Sequence, residues 1–200
     1  EAIIIALILA LFIRTFVVQA FKIPSSSMEN TLLIGDHILV NKFSYGVKIP
    51  NKIFFSNVKL FGDIRFFDEM PERGDAIVFE FPKDESRDFI KRVVGLPGEV
   101  IEIKAQTIYI NDKPITEPYA IHSDPYRDDR PMRPRDNYGP VVIPERSVFV
   151  MGDNRENSQD SRYWNFLDLD RVKGKAFIIY WSWNSEKFNV RWNRLAKLIK

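Results

Sequence analysis

The chain has 200 residues, 45% of them hydrophobic, which is enough for one well-buried domain with room for a minor lobe. A net charge of +2 gives no global field that argues for nucleic acid. Cysteine is absent, which excludes disulfides, thiolate catalysis and cysteine zinc sites, and His37 and His122 alone are too few for a His-rich metal centre.

Residues Ala2 to Ile13 are Ala, Ile, Leu and Phe throughout. As a helix they span about 18 Å, short of the roughly 30 Å hydrocarbon core. The expectation is therefore the C-terminal part of a transmembrane anchor over residues 1–20, continued upstream of Glu1, with Arg14 snorkelling to the interface. Two alternatives stand beside it. One is a cleaved leader, with small side chains at Val18-Gln19-Ala20 for the cut but Arg14 set against it. The other is a buried core helix.

Next comes Pro24-Ser25-Ser26-Ser27-Met28-Glu29-Asn30-Thr31. Three hydroxyls after a proline, where an apolar helix should end, put a candidate nucleophile at a bilayer surface. The same serines also suit a polar linker or a cap. In the functional reading Ser27 is the nucleophile, and Ser25, two residues earlier, reaches a developing oxyanion through a turn.

From here the pattern is strand-like. Leu32–Ile34 and His37–Val40 flank a Gly35-Asp36 turn, and Asp75–Phe81 is an apolar run stopped by Pro82. Asn51–Phe67 has no clear period and reads as loop. Phe89–Val94 is another strand, closed by Gly95-Leu96-Pro97-Gly98, a proline–glycine pair suited to a type II turn. Val100–Lys104 and Thr107–Ile110 continue a meander. Tyr119–Pro140, rich in proline and charge, reads as a surface insertion with a mobile tip. Ser147–Met151 and Ala176–Trp181 complete a largely β domain of sandwich or barrel type. The end, Arg191–Lys200, is basic, and with Trp181, Trp183 and Trp192 it suits either an anionic membrane interface or a solvated amphipathic helix.

Within the fourth of these strands, Phe89–Val94, Lys91 sits among Phe89, Ile90, Val93 and Val94. A lysine serves as a base only when neutral, and its usual pKa of about 10.4 leaves roughly one in a thousand deprotonated near pH 7.4. Burial lowers that value by destabilising the ammonium. The alternative is that Lys91 and Arg92 lie at a sheet edge, because buried lysines are rare. A serine–histidine–aspartate triad is disfavoured: no Gly-x-Ser-x-Gly elbow occurs, and neither histidine has an orienting acid close in sequence. Gly152–Arg162 is a polar loop leaving a strand, and ordinary turn chemistry explains Gly152-Asp153-Asn154. The functional reading expects Asp160 and Arg162 to pair and Ser158 to hold the lysine amine without charging it.

Taken together these stretches resemble the bacterial type I signal peptidases. The matching segments are Ile23–Met28, Leu32–Asp36, Arg73–Phe79, Ile90–Gly98 and Gly152–Trp164, in family order over roughly residues 14 to 181. The resemblance implies Ser27 as nucleophile, Lys91 as general base, and Ser25 with the Ser27 amide as oxyanion hole. It implies Ser158 orienting Lys91 and Asp160 with Arg162 supporting the loop. Ile23, Pro24, Met28, Leu32, Phe89 and Ile90 would line shallow pockets for small side chains. The implied fold is mainly β, of the signal-peptidase/LexA-like kind. It comprises an anchor over 1–20, a catalytic domain over 21–104 and 144–185, a β cap over 105–143 and a basic amphipathic segment over 186–200. The implied partners are the signal-peptide region of secreted preproteins and the lipid bilayer, with no nucleic acid, metal or cofactor. The implied location is the bacterial inner membrane, with the catalytic domain on the extracytoplasmic side. Glu29-Asn30 departs from the apolar residue and proline of many members, and Ser26 stands where glycine is common. Two rivals are kept: a self-cleaving regulator of the LexA type, and a non-catalytic, membrane-tethered β module.

Overall fold

The computed structural model describes residues 17–48, 65–66, 69–122 and 136–200, together with 2–3 and 5–6, which are helical. Antiparallel pairing dominates. Strands β1 (Val18–Lys22) and β2 (Asp36–Asn41) flank the serine-rich turn, and the short β3 (Val47–Lys48) and β4 (Arg65–Phe66) pair with each other. A hairpin of β5 (Ala76–Phe81) and β6 (Asp84–Gly95) sets Ile77 opposite Lys91. Strands β7 (Val100–Lys104), β8 (Thr107–Ile110), β9 (Lys113–Pro114) and β10 (Tyr138–Val142) form a separate sheet, ordered β10-β7-β8-β9. The chain then runs through β11 (Ser147–Met151), the single-turn helix α1 (Ser161–Trp164), β12 (Leu167–Asp168) and the long β13 (Val172–Asn184). It ends in β14 (Asn189–Val190) and β15 (Lys197–Leu198), both paired to β13. The main sheet is ordered β1-β2-β13-β5-β6-β11-β12.

The core explains why β5 is a continuous apolar run rather than an alternating one: both of its faces are covered. Ile77, Phe79 and Phe81 pack with Val93, Val148, Val150 and Trp164, while Ala76 and Val78 pack with Ile23, Met28, Leu32, Ile38 and Val40. Each fully buried aliphatic side chain contributes roughly 1.5–3 kcal/mol of transfer free energy. A third cluster, around Ile101, Ile103, Ile108, Ile143 and Phe149, joins the smaller sheet to the main one. Between β6 and β7, Glu99 N donates to Leu96 O with Gly98 at φ +77, the type II turn expected from Pro97-Gly98.

Several expectations are revised. Leu32–Ile34 is not a strand. Leu32 N bonds Met28 O, and the Asp36 carboxylate accepts from Leu33 N, so local bonds replace ladder bonds. Val18–Ala20, assigned to the anchor, lies in β1, because pairing with Leu39–Asn41 satisfies its backbone. Among the described residues no helix is long and apolar enough to cross a membrane, and residues 7–16 lie outside the described residues. Hydrogen bonding puts β7 with β8–β10, so the smaller sheet begins at Val100 rather than after Lys104. The basic end is not a helix: β14, the 3₁₀ turn Trp192–Arg194 and β15 lie along β13. Of the Asn51–Phe67 loop only Arg65–Phe66 is described, and it is strand. The tip of the 119–140 insertion lies outside the described residues.

Candidate active site

The serine-rich turn that carries Ser27 is set by where β1 stops pairing. Ile23 N still reaches Asp36 O at 2.8 Å, but Pro24 has no N–H to offer, and the chain leaves the sheet. It returns through Gly35 at φ +91, a left-handed position where a Cβ would also meet Trp183 O at 2.2 Å. Met28 and Leu32, both fully buried, fix the turn from below. Ser27 O accepts from Asn154 N at 3.1 Å, which ties the turn to the loop after β11.

Lys91 lies in the half of β6 flanked by β5 on one side and β11 on the other, so it is not at a sheet edge. It is 3% exposed, its Nζ is 2.6 Å from Ser27 Oγ, and Ser27 itself is 9% exposed. No carboxylate forms an ion pair with Lys91 among the described residues. Burial lowers its pKa from 10.5 to about 8, against a smaller opposing pull from Asp160 and Asp153. At pH 7 roughly one molecule in ten then carries the neutral amine. Ser25 Oγ lies 3.4 Å from Ser27 Oγ, within hydrogen-bond reach of it.

The loop from Gly152 to Arg162 surrounds this pair. Asp160 accepts from Arg162 Nε at 2.8 Å and Nη2 at 2.9 Å, and from Gly152 N at 3.0 Å. Burial alone would push its carboxyl up, but Arg162 and these hydrogen bonds hold it below the usual carboxylate range. Ser158 lines the site and is buried. Its Oγ helps keep Asp160 ionised but makes no hydrogen bond of regular geometry, to Lys91 included. Gly152 packs directly against it: a Cβ there would lie 2.3 Å from Ser158 Oγ and 2.4 Å from Ser27 O.

Beside the Ser27–Lys91 pair lies a network absent from the reading of the sequence. Arg92, fully buried, donates to Asp153 through Nε (2.8 Å) and Nη2 (2.7 Å), to Gly74 O at 2.6 Å and to Lys200 O at 2.8 Å. Thr31 Oγ1 donates to the same Asp153 at 2.5 Å. A signal was present: an arginine inside an apolar strand requires a buried anion, and the polar loop holds Asp153 as well as Asp160.

A groove of about 710 Å³ opens over the pair. Ile23, Pro24, Ser25, Ser27, Phe89, Ile90, Lys91 and Ser158 all line it. Met28 and Leu32, expected in its walls, do not; they are wholly inside, packed beneath Ile23 and Ile90. Asp160 and Arg162 also stand back from the groove, in the support of its floor.

A mainly β fold with a buried hydroxyl–amine pair lining a groove of mixed apolar and polar residues has the form of a hydrolase site. Residues 1–181 match the model of the family described as signal peptidase, peptidase S26. The chain is 37% identical to the probable signal peptidase I-2 of Synechocystis sp. over 182 residues, covering 88% of this chain and 69% of that protein. It is 34% identical to signal peptidase I of Pseudomonas fluorescens over 213 residues, covering 92% of this chain and 72% of that one. A signal peptidase I crystal structure from Enterococcus faecalis superposes on 54% of this chain and 97% of its own, at 33% identity and a TM-score of 0.44. The chain therefore belongs to the signal peptidase family, peptidase S26, and is a peptidase.

Proposed function

We propose that this protein is a membrane-bound serine endopeptidase that removes signal peptides from translocated preproteins with Ser27 as nucleophile and Lys91 as general base. The observation that carries the reading is the 2.6 Å approach of a buried, pKa-lowered amine to the Ser27 hydroxyl. The Ser27 proton passes to neutral Lys91 as Oγ bonds the scissile carbonyl carbon. The oxyanion is received by the Ser27 N–H and the Ser25 hydroxyl. Protonated Lys91 gives its proton to the leaving amine as the C–N bond breaks, which leaves an acyl-enzyme. Water then loses a proton to Lys91 and attacks the ester carbon, and the C–Oγ bond breaks as Lys91 returns that proton to Ser27 Oγ, which frees both residues.

Ile23, Pro24, Phe89 and Ile90 wall the groove beside Ser27 with apolar surface, which supports small residues in the acyl half of the substrate. Ser158, Asp160 and Arg162 hold the loop that closes Lys91 off from water. A bilayer partner is supported by exposed Tyr180, Trp181, Trp183, Phe188 and Trp192 next to Arg191 and Lys187, indole and basic side chains of the kind that sit at lipid headgroups. The same reading puts the catalytic domain at the extracytoplasmic face of a bacterial inner membrane. A LexA-type regulator is disfavoured by the family match over residues 1–181, and a non-catalytic module gives no reason to bury Lys91 against Ser27.

The test is cleavage of a preprotein by Ser27→Ala and Lys91→Ala variants whose circular dichroism matches the parent. Both should be inactive. Substantial cleavage by either one removes the dyad.

A further inference from the structure

Ser27 and Ser158 come from segments 131 residues apart, and each is preceded by a residue that reaches across to the other segment. Asn157 Nδ2 donates to Ser26 Oγ at 2.6 Å. This bond joins the residue before Ser27 to the residue before Ser158, so it spans the two backbones whose serines line the groove with Lys91. On the other side of Ser27 the turn is already secured, by Asn154 N to Ser27 O at 3.1 Å and by the Thr31–Asp153 bond. Ahead of Ser27 the backbone has weaker reasons to stay put. Pro24 donates nothing, Ser25 is exposed, and Ser26 O holds only the local turn through Glu29 N at 2.9 Å.

Resting on the dyad proposed above, we infer that Ser26 and Asn157 form a clasp that positions Ser27 Oγ against Lys91 Nζ: they are positioning residues, not catalytic ones. Ser26 does not line the groove, whereas Asn157 does, so Ser26 acts through Ser27 and the Asn157 variant reports the clasp through its non-additivity with Ser26→Ala. An unclasped Ser26 lets the torsions on the N-terminal side of Ser27 relax. The hydroxyl then samples placements off the 2.6 Å line, and a positional error of this kind costs rate far more than binding. The bond sits at an exposed rim, so the expected effect is that of one neutral hydrogen bond, a five- to tenfold loss, which converts to roughly 1.0–1.4 kcal/mol.

The experiment is a double-mutant cycle on preprotein cleavage with Ser26→Ala, Asn157→Ala and the pair, alongside Ser26→Thr and thermal melts. Ser26→Ala should lower kcat about five- to tenfold with KM within twofold and the rise in rate through about pH 8 unmoved. Asn157→Ala should lower kcat equally, the double variant should be no slower than the singles, and Ser26→Thr, which keeps the hydroxyl, should restore most of the rate. Additive losses, an unchanged kcat, or a loss seen in KM alone would overturn the clasp. A fall in kcat explained by a lower folded fraction at the assay temperature would overturn it too. The dyad reading fails separately, through activity in Ser27→Ala or Lys91→Ala.

Discussion

Lys91 and Arg92 are neighbours on one strand, both buried, and they meet opposite fates. Arg92 is given a bidentate carboxylate and two carbonyls, so its charge is kept. Lys91 is given a hydroxyl and apolar walls, so its charge is discouraged. A guanidinium cannot shed its proton at any ordinary pH and must be matched, whereas an ammonium can be left unmatched and made into a base. The contrast shows how a single strand can hold both the scaffold and the chemistry: the difference lies in which carboxylates reach which nitrogen. Asp153 pairs with Arg92 and Asp160 with Arg162, and both stay out of ion-pairing range of Lys91.

Substitutions that exchange these two fates are the sharpest probes. Lys91→Met should remove cleavage altogether, at least about 10³-fold in kcat/KM, because general-base and nucleophile activation are lost together. Asp153→Ala should instead cost stability. Removing the partner of a buried charge typically costs about 3–5 kcal/mol, so urea melts should shift far to lower concentration. Gly152→Ala should fold but work poorly, by one to two orders of magnitude in kcat, since its new methyl must displace Ser158 and the Ser27 carbonyl. A crystal structure with those atoms unmoved would break that explanation.

The smallest effect has the opposite sign. Folding lowers the Lys91 pKa from 10.5 to about 8, so the native state binds fewer protons than the unfolded chain between those values. That cost is fully present below pH 8 and shrinks as pH rises toward 10.5. Lys91→Met should therefore be more stable than the parent at pH 7, by on the order of 3 kcal/mol, and lose that advantage by about pH 10.5. Equal stability of the two proteins across the range would mean that Lys91 is solvated.

Much of this contrast was legible in the chain, and the part that was not has a physical cause. Ser27 and Lys91 stood out because a hydroxyl cluster after Pro24 and a lysine between Phe89 and Val94 are chemically odd. The strand pattern also carried β5, β8 and β11, whose apolar runs match their buried faces. The partner of Arg92 was not legible, since pairing 61 residues apart depends on which loop folds over which strand. Leu32–Ile34 misled because apolar spacing of three residues does not distinguish a strand from a turn pinned by Asp36. Met28 and Leu32 carry the same lesson: apolar residues beside a nucleophile point either at substrate or at the core, and here the core took them.

The proposed chemistry depends on the ionisation of one nitrogen, which can be followed directly by the chemical shift of the Lys91 side chain in selectively labelled protein across about pH 5 to 11. A midpoint near 8, returning no such transition in Lys91→Met, is the result this structure predicts. A midpoint at the ordinary lysine value of about 10.4 would contradict it.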